Sequence, residues 1–154
     1  TIKYIIFIGC YIYYSLLEGY REAAYFHDRI QAADPDRKDL HALFTIQRSL
    51  VAIIASIGMI NFSPDRYTIL SIVLMVISSV FMFPFFHDGR YYATRNDLNA
   101  SQYPKRWKDN PSKTSTSLMD LSNIASTYSS RVRLMILGTI MALASYAVQI
   151  LTAH

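Results

Sequence analysis

Cysteine, charge and glycine are all scarce in this chain of 154 residues. Its one cysteine, Cys10, excludes a disulfide within the chain. Charged residues make up 17% of the sequence, whereas roughly 25% is typical of a soluble domain. There is no glycine-rich phosphate loop, no His-Glu-x-x-His and no Gly-x-Ser-x-Gly. The sequence therefore lacks the motifs of several common enzyme classes.

Apolar residues make up 52% of the chain, and they are concentrated in four runs. Thr1–Leu17 carries only Lys3, and Leu50–Ile60 carries no charge. Tyr67–Phe86 and Leu134–Ala153 are each 20 residues without a charge, the length that a helix needs to cross a bilayer. These runs predict an all-α fold of four membrane spans.

We expect one integral membrane domain over residues 1–154, a four-span transmembrane helical bundle of two helical hairpins with cytoplasmic helix extensions. The predicted spans cover about residues 2–20, 43–60, 67–86 and 134–152. The two long connections, 21–42 and 87–133, contain 12 of the 15 lysine and arginine residues, and Arg48 lies at the same end of the second span. This imbalance places both connections in the cytoplasm and both termini on the non-cytoplasmic side.

The helix ends can also be predicted. The first helix continues beyond Glu18, because the residues that follow are good helix formers without a proline before Pro35. Pro84 is expected to kink or end the third helix, with Gly89 as a C-terminal cap residue. The apolar spacing from Ser117 onward predicts one helix that runs without a break into the last span.

Five charged residues near the predicted cytoplasmic boundary suggest a charge-pair network. Ionisable residues at this depth usually face the bundle interior and have a partner. Glu18 and Glu22 lie four apart on one helix face, and Arg48 is the natural counter-ion for Glu18. The predicted network comprises Glu18, Arg21, Glu22, Arg48 and Arg90.

A catalytic or metal site at the same boundary is the alternative hypothesis. Phe-His-Asp occurs twice, at Phe26–Asp28 and Phe86–Asp88, and a histidine oriented by a carboxylate can act as a metal ligand or general base. The candidate catalytic residues are Glu18, Glu22, His27, His87 and Asp88. A divalent metal would be held by Glu18, Glu22, His27 and His87. The Glu-x-x-His pairs of a carboxylate-bridged dimetal site are absent, so we predict neither a metal nor another cofactor.

A basic, aromatic segment lies in the second long connection. Basic residues near a membrane attract anionic lipid, and tryptophan favours the interface. The patch is too short to suggest nucleic-acid binding. The candidate residues for contact with lipid or a partner are Lys105, Arg106, Trp107, Lys108 and Lys113.

These features lead us to expect a non-enzymatic structural or assembly subunit. Its predicted partners are membrane lipids and either other membrane subunits or further copies of itself. The first alternative is an enzyme or metal-binding protein at the membrane boundary. The second is a pore or transporter component, although the outer halves of the spans contain few polar residues to line a route.

Overall fold

The computed structural model shows an all-helical protein, as the sequence predicts. It describes residues 2–30, 46, 48–53, 55, 58, 66–101, 108, 124–125 and 127–152. The three long helices are α1, Ile2–Ile30; α2, Arg66–Leu98; and α3, Tyr128–Thr152. Residues 48–53 form a further helical segment.

Two of the helices are long and apolar enough to cross a membrane, judged by length and composition. They comprise Tyr67–Leu98 and Tyr128–Leu151. At 1.5 Å per residue, the 33 residues of α2 extend about 50 Å, which exceeds the roughly 30 Å of a bilayer's hydrocarbon core.

The prediction that the third helix ends at Pro84 and is capped at Gly89 is wrong. The helix passes through Pro84 and Gly89 and ends only at Leu98. A proline inside a helix loses one backbone hydrogen bond and clashes with the preceding turn, a cost of about 3 kcal/mol. The structure offsets this cost because the continuing helix places His87 and Asp88 in ion pairs with its neighbours.

The prediction of an unbroken helix from Ser117 into the last span is also wrong. Residues 124, 125 and 127 are not helical, and α3 begins at Tyr128. Thr127 caps this helix: the Ser130 amide donates to Thr127 Oγ1 at 3.1 Å, and the Thr127 amide donates to Ser130 Oγ at 3.0 Å. These reciprocal bonds satisfy amides that have no partner inside the helix, so they fix its start.

Helix α2 lies in the centre of the bundle, between α1 and α3. It is parallel to α1, since Tyr11 lies in one cluster with Met75 while Gly19 packs on His87. It is antiparallel to α3, since Ser71 meets Ser145 while Asp88 meets Arg131. This order positions the predicted cytoplasmic ends of α1 and α2 beside the start of α3.

The α2–α3 contact is close because small residues line it. A Cβ atom added to Gly138 of α3 would lie 2.9 Å from the Ser78 carbonyl oxygen and 2.7 Å from Met82 Cγ. Ser71 Oγ donates to the Ser145 carbonyl at 3.2 Å, and Ser145 Oγ donates to the Ser71 carbonyl at 2.9 Å. Packing of small residues with hydrogen bonds between helices is typical of helices that associate in lipid.

Many polar side chains of this bundle are buried, and many large apolar ones are exposed. Among the described residues, five serines are no more than 2% exposed: Ser15, Ser71, Ser78, Ser79 and Ser145. Large apolar side chains on all three helices face outward, including Ile5, Ile69, Val73, Ile140 and Leu143. Apolar side chains that face outward on three helices suit contact with lipid or with another protein.

Candidate functional site

The most distinctive polar feature is a set of buried charged side chains where α1, α2 and α3 meet the 48–53 segment. Glu18 and Glu22 of α1 are each 7% exposed, and they lie one helical turn apart. Gly19 lies between them and packs against the His87 backbone, so α1 approaches α2 closely at this level. The two carboxylates are therefore held at the helix interface and away from solvent.

Arg48 of the 48–53 segment bridges these two carboxylates. Its Nη2 bonds Glu22 Oε2, and its Nε lies 3.8 Å from Glu18 Oε2. Its guanidinium carbon also lies 4.9 Å from the centre of the Phe83 ring. Arg21 forms a second, more exposed ion pair with Glu18, at 3.4 Å between Nη1 and Oε1. Arg48 thus links α1 to a separate part of the chain.

His87 contributes two further contacts. Its Nε2 lies 2.8 Å from Glu22 Oε2 on α1, and its Nδ1 lies 2.8 Å from Oδ1 of the adjacent Asp88. The imidazole is buried and stacks on the Phe83 ring, with 4.7 Å between the ring centres. The ring therefore joins α1 to α2 through Glu22.

Arg131 brings α3 into the same set. Its Nε lies 2.8 Å from Asp88 Oδ2, in an ion pair whose N–H is not aligned as a hydrogen bond. Arg131 is only 1% exposed, and its guanidinium carbon lies 5.6 Å from the centre of the Tyr92 ring. Asp88 thereby contacts His87 with one oxygen and Arg131 with the other.

We call these six residues the buried charge network: Glu18, Glu22, Arg48, His87, Asp88 and Arg131. Three are carboxylates and two are guanidinium groups. Both ring nitrogens of His87 face carboxylate oxygens, which accept hydrogen bonds but do not donate them when ionised. A protonated His87 donates from both nitrogens and gives three positive charges for three negative ones. The geometry therefore fits an imidazolium ion and a neutral network.

One contact works against this assignment. Arg48 Nη2 lies 3.2 Å from His87 Nε2, which brings two hydrogen-bond donors together when the ring is protonated. Glu22 Oε2 lies closer to each of these nitrogens than they lie to one another. The shared carboxylate oxygen accepts from both cations and offsets their repulsion.

The acidity of Glu22 follows from this position. Burial disfavours its charged form, but the hydrogen bond and charge of His87, together with Arg48, outweigh burial and lower the pKa of Glu22 to about 2. A carboxylate whose pKa is lower in the folded state stabilises the fold above its unfolded value of 4.5. That stabilisation is lost as the pH falls through the folded pKa.

Substitution of Glu22 by Gln should therefore matter less in acid. At neutral pH, Glu22→Gln removes a buried charge from between two cations and should lower the melting temperature. As the pH falls from about 4.5 to about 2, wild-type Glu22 becomes protonated, so the difference between the two proteins should shrink. Thermal unfolding in mild detergent, followed by circular dichroism, measures this difference. A difference that stays constant over that pH range would contradict the assignment.

The predicted site residues do not all lie together. The structure brings Glu18, Glu22, Arg48, His87 and Asp88 into one set, with Arg21 at its exposed edge. Arg90 is exposed instead, with its guanidinium carbon 5.4 Å from the centre of the Tyr20 ring. Lys108 is exposed, whereas Lys105, Arg106, Trp107, Lys113 and the His27 side chain lie outside the described residues.

Within the described residues, no group of three His, Cys, Asp or Glu side chains is arranged to hold a metal ion. The hypothetical metal set of Glu18, Glu22, His27 and His87 includes a side chain outside that part of the chain. Glu18, Glu22 and His87 are instead in contact with cations or carboxylates of the buried charge network.

Arg131 is the network residue that sequence reasoning missed. It lies three residues before the uncharged run that starts at Leu134, a position comparable with that of Glu18 just after the first run. A charge at that depth indicates an inward-facing residue. That signal was present, but the predicted continuation of the helix from Ser117 made Arg131 one of several charges on a long extension.

No protein-family model, curated protein or solved structure matches this chain.

Proposed function

We propose that this chain is an integral membrane protein of four spans, arranged as two helical hairpins. Its function is structural: it acts as an assembly subunit whose buried charge network fixes how the helices pack. Its cytoplasmic face presents basic and aromatic residues to anionic lipid and to other membrane subunits, or to further copies of itself.

The distribution of polar and apolar residues supports the membrane assignment. Buried serines and outward-facing Ile, Leu and Val suit a bundle whose surrounding is hydrocarbon. The uncharged runs of α1, α2 and α3 all end within about one turn of the buried charge network. The network would then lie at the boundary between hydrocarbon and headgroups.

The pairing of charges supports a structural role for the buried charge network. Each carboxylate of the network contacts a cation from a different element: Glu18 and Glu22 contact Arg48, Glu22 contacts His87, and Asp88 contacts Arg131. Both ring nitrogens of His87 are engaged, so a role as general base would first require one of these contacts to break. The arrangement favours fixed packing over catalysis.

The direction of the 48–53 segment supports the hairpin arrangement. Arg48 lies at the level of the network, whereas Ala52 packs with Tyr11 and Met75, further along the bundle. The segment therefore runs antiparallel to α1, as the second arm of a hairpin would. With 12 of 15 basic residues in the two long connections and Arg48 at the network itself, the network end is the cytoplasmic one.

Cysteine labelling in intact cells or spheroplasts tests whether the third span crosses the membrane and in which direction. In a Cys10→Ser background, Ser101→Cys should react only after the cytoplasmic side is opened, and Ser63→Cys should react with an impermeant thiol reagent from outside. Labelling of both positions from the same side would overturn the two-hairpin topology.

The assembly role is tested separately by the mass of the purified protein. Extraction in a mild detergent, followed by size-exclusion chromatography with light scattering, should show a defined oligomer or a stoichiometric complex. A monodisperse monomer that carries no other subunit would contradict an assembly role, whatever the topology.

A further inference from the structure

Exposed arginines on three helices lie at the level of the buried charge network. Arg21 of α1 precedes Glu22, Arg90 of α2 follows Asp88 by two residues, and Arg133 of α3 follows Arg131 by two. The contacts of Glu22 with His87 and of Asp88 with Arg131 align the three helices there. The three arginines therefore fall within about one helical turn of a common plane. We call Arg21, Arg90 and Arg133 the arginine collar.

At this level the acidic side chains are buried, whereas the arginines of the collar are exposed. The three nearby carboxylates, Glu18, Glu22 and Asp88, are buried and matched by buried or half-buried cations, and Glu18 is also paired with Arg21. Arg21, Arg90 and Arg133 are exposed. Of the acidic side chains that the structure describes, Asp97 is the exposed one, and it lies almost two turns beyond Arg90. The described residues therefore give the collar a net positive charge.

The side chains beside the collar suit the interfacial zone of a bilayer. The Arg90 guanidinium lies over the Tyr20 ring, which is itself 50% exposed. Tyrosine favours the level of the headgroups, where its ring contacts hydrocarbon and its hydroxyl contacts water. On one side of this pair begins the outward-facing apolar surface that includes Leu17 and Tyr13. The Arg90–Tyr20 pair therefore suits the level of the headgroups.

We propose that the arginine collar binds the phosphates of anionic phospholipids in the cytoplasmic leaflet. The ligand is a lipid headgroup whose acyl chains lie on the apolar surface next to the collar. The N–H donors of a guanidinium group match the oxygens of a phosphate. A headgroup with a net negative charge neutralises the arginines, whereas a zwitterionic headgroup has no net charge to do so. This inference rests on the proposed membrane location, and it assigns a ligand class to residues other than the basic segment at Lys105–Lys108.

Titration of a short-chain lipid into the full-length protein in neutral detergent tests the collar. Dioctanoyl phosphatidylglycerol should bind saturably, and dioctanoyl phosphatidylcholine should bind at least tenfold more weakly. Each basic residue near an anionic surface contributes roughly a fivefold change in affinity, so Arg21→Gln/Arg90→Gln/Arg133→Gln should weaken binding roughly a hundredfold. Lys3→Gln/Arg66→Gln, at the opposite end of the bundle, is the matched control and should leave the affinity unchanged.

Three results would contradict the proposal that the arginine collar binds anionic lipid. These are equal affinity for the two lipids, retention of affinity within threefold in the triple variant, and equally tight binding of inorganic phosphate alone. If circular dichroism shows the triple variant to be misfolded, the single Arg90→Gln variant replaces it in the test. We expect Arg90→Gln to weaken binding of the anionic lipid roughly fivefold, and an unchanged affinity would contradict the proposal. A negative result in this titration leaves the outcome of the cysteine labelling unchanged, so failure of the collar is distinguishable from failure of the proposed membrane topology.

Discussion

Substitution of Arg131 by Gln should lower the free energy of unfolding by about 3–5 kcal/mol, the range for removing one partner of a buried ion pair. Arg131 is 1% exposed, and its partner Asp88 also contacts His87. The variant leaves three carboxylates to share Arg48 and His87, so one negative charge is unmatched inside the bundle. Unfolding by sodium dodecyl sulfate in mixed micelles, followed by circular dichroism, gives this free energy.

Arg133→Gln is the matched control for that experiment. It removes the same side chain two residues away, from an exposed position on the same helix. Exposed substitutions usually change stability by less than about 0.5 kcal/mol. Equal losses in the two variants would show that the burial of Arg131 is unimportant and would contradict the network.

Substitution of Gly19 by Ala should lower the free energy of unfolding by about 1–3 kcal/mol, the usual cost of overpacking. A Cβ at position 19 would overlap the carbonyl oxygen of His87 and would lie 3.1 Å from the Tyr91 amide nitrogen. These are backbone atoms of α2 and cannot rotate away. The helices must therefore separate at the level where Glu22 meets His87, which lengthens that contact too.

Gly9→Ala on the same helix provides the comparison. No atom lies within 4 Å of the Cβ that this change would add, and alanine favours helix over glycine by about 1 kcal/mol. Gly9→Ala should therefore be neutral or stabilising in the same denaturation assay. A destabilising Gly9→Ala together with a neutral Gly19→Ala would reverse the expected order and contradict the close approach of α1 and α2.

The sequence contains enough information to predict the helical class, because uncharged runs near 20 residues have few other physical explanations. It also allows Glu18, Glu22 and Arg48 to be grouped, since charges at one depth in a bundle need partners. The structure brings these three residues together. The depth of a residue along its span can be counted from the sequence, and this is why such reasoning works.

The direction in which a boundary residue faces is harder to obtain from the sequence. Arg90 was assigned to the network by its depth alone, but it faces outward over Tyr20. Local signals at Pro84 and Gly89 favour a helix stop, yet tertiary contacts of His87 and Asp88 carry α2 past them. Such contacts join residues far apart in sequence and cannot be inferred from nearby residue types.

A double-mutant cycle on Asp88 and Arg131 tests the central claim, that matched buried charges hold these helices together. Asp88→Asn alone leaves an excess cation, and Arg131→Gln alone leaves an excess carboxylate. The double variant leaves Glu18 and Glu22 matched by Arg48 and His87. Unfolding free energies in mixed micelles should give a coupling energy of about 2–3 kcal/mol between the two residues. The double variant should therefore lose much less stability than the sum of the two single losses. A coupling energy near zero would contradict the account.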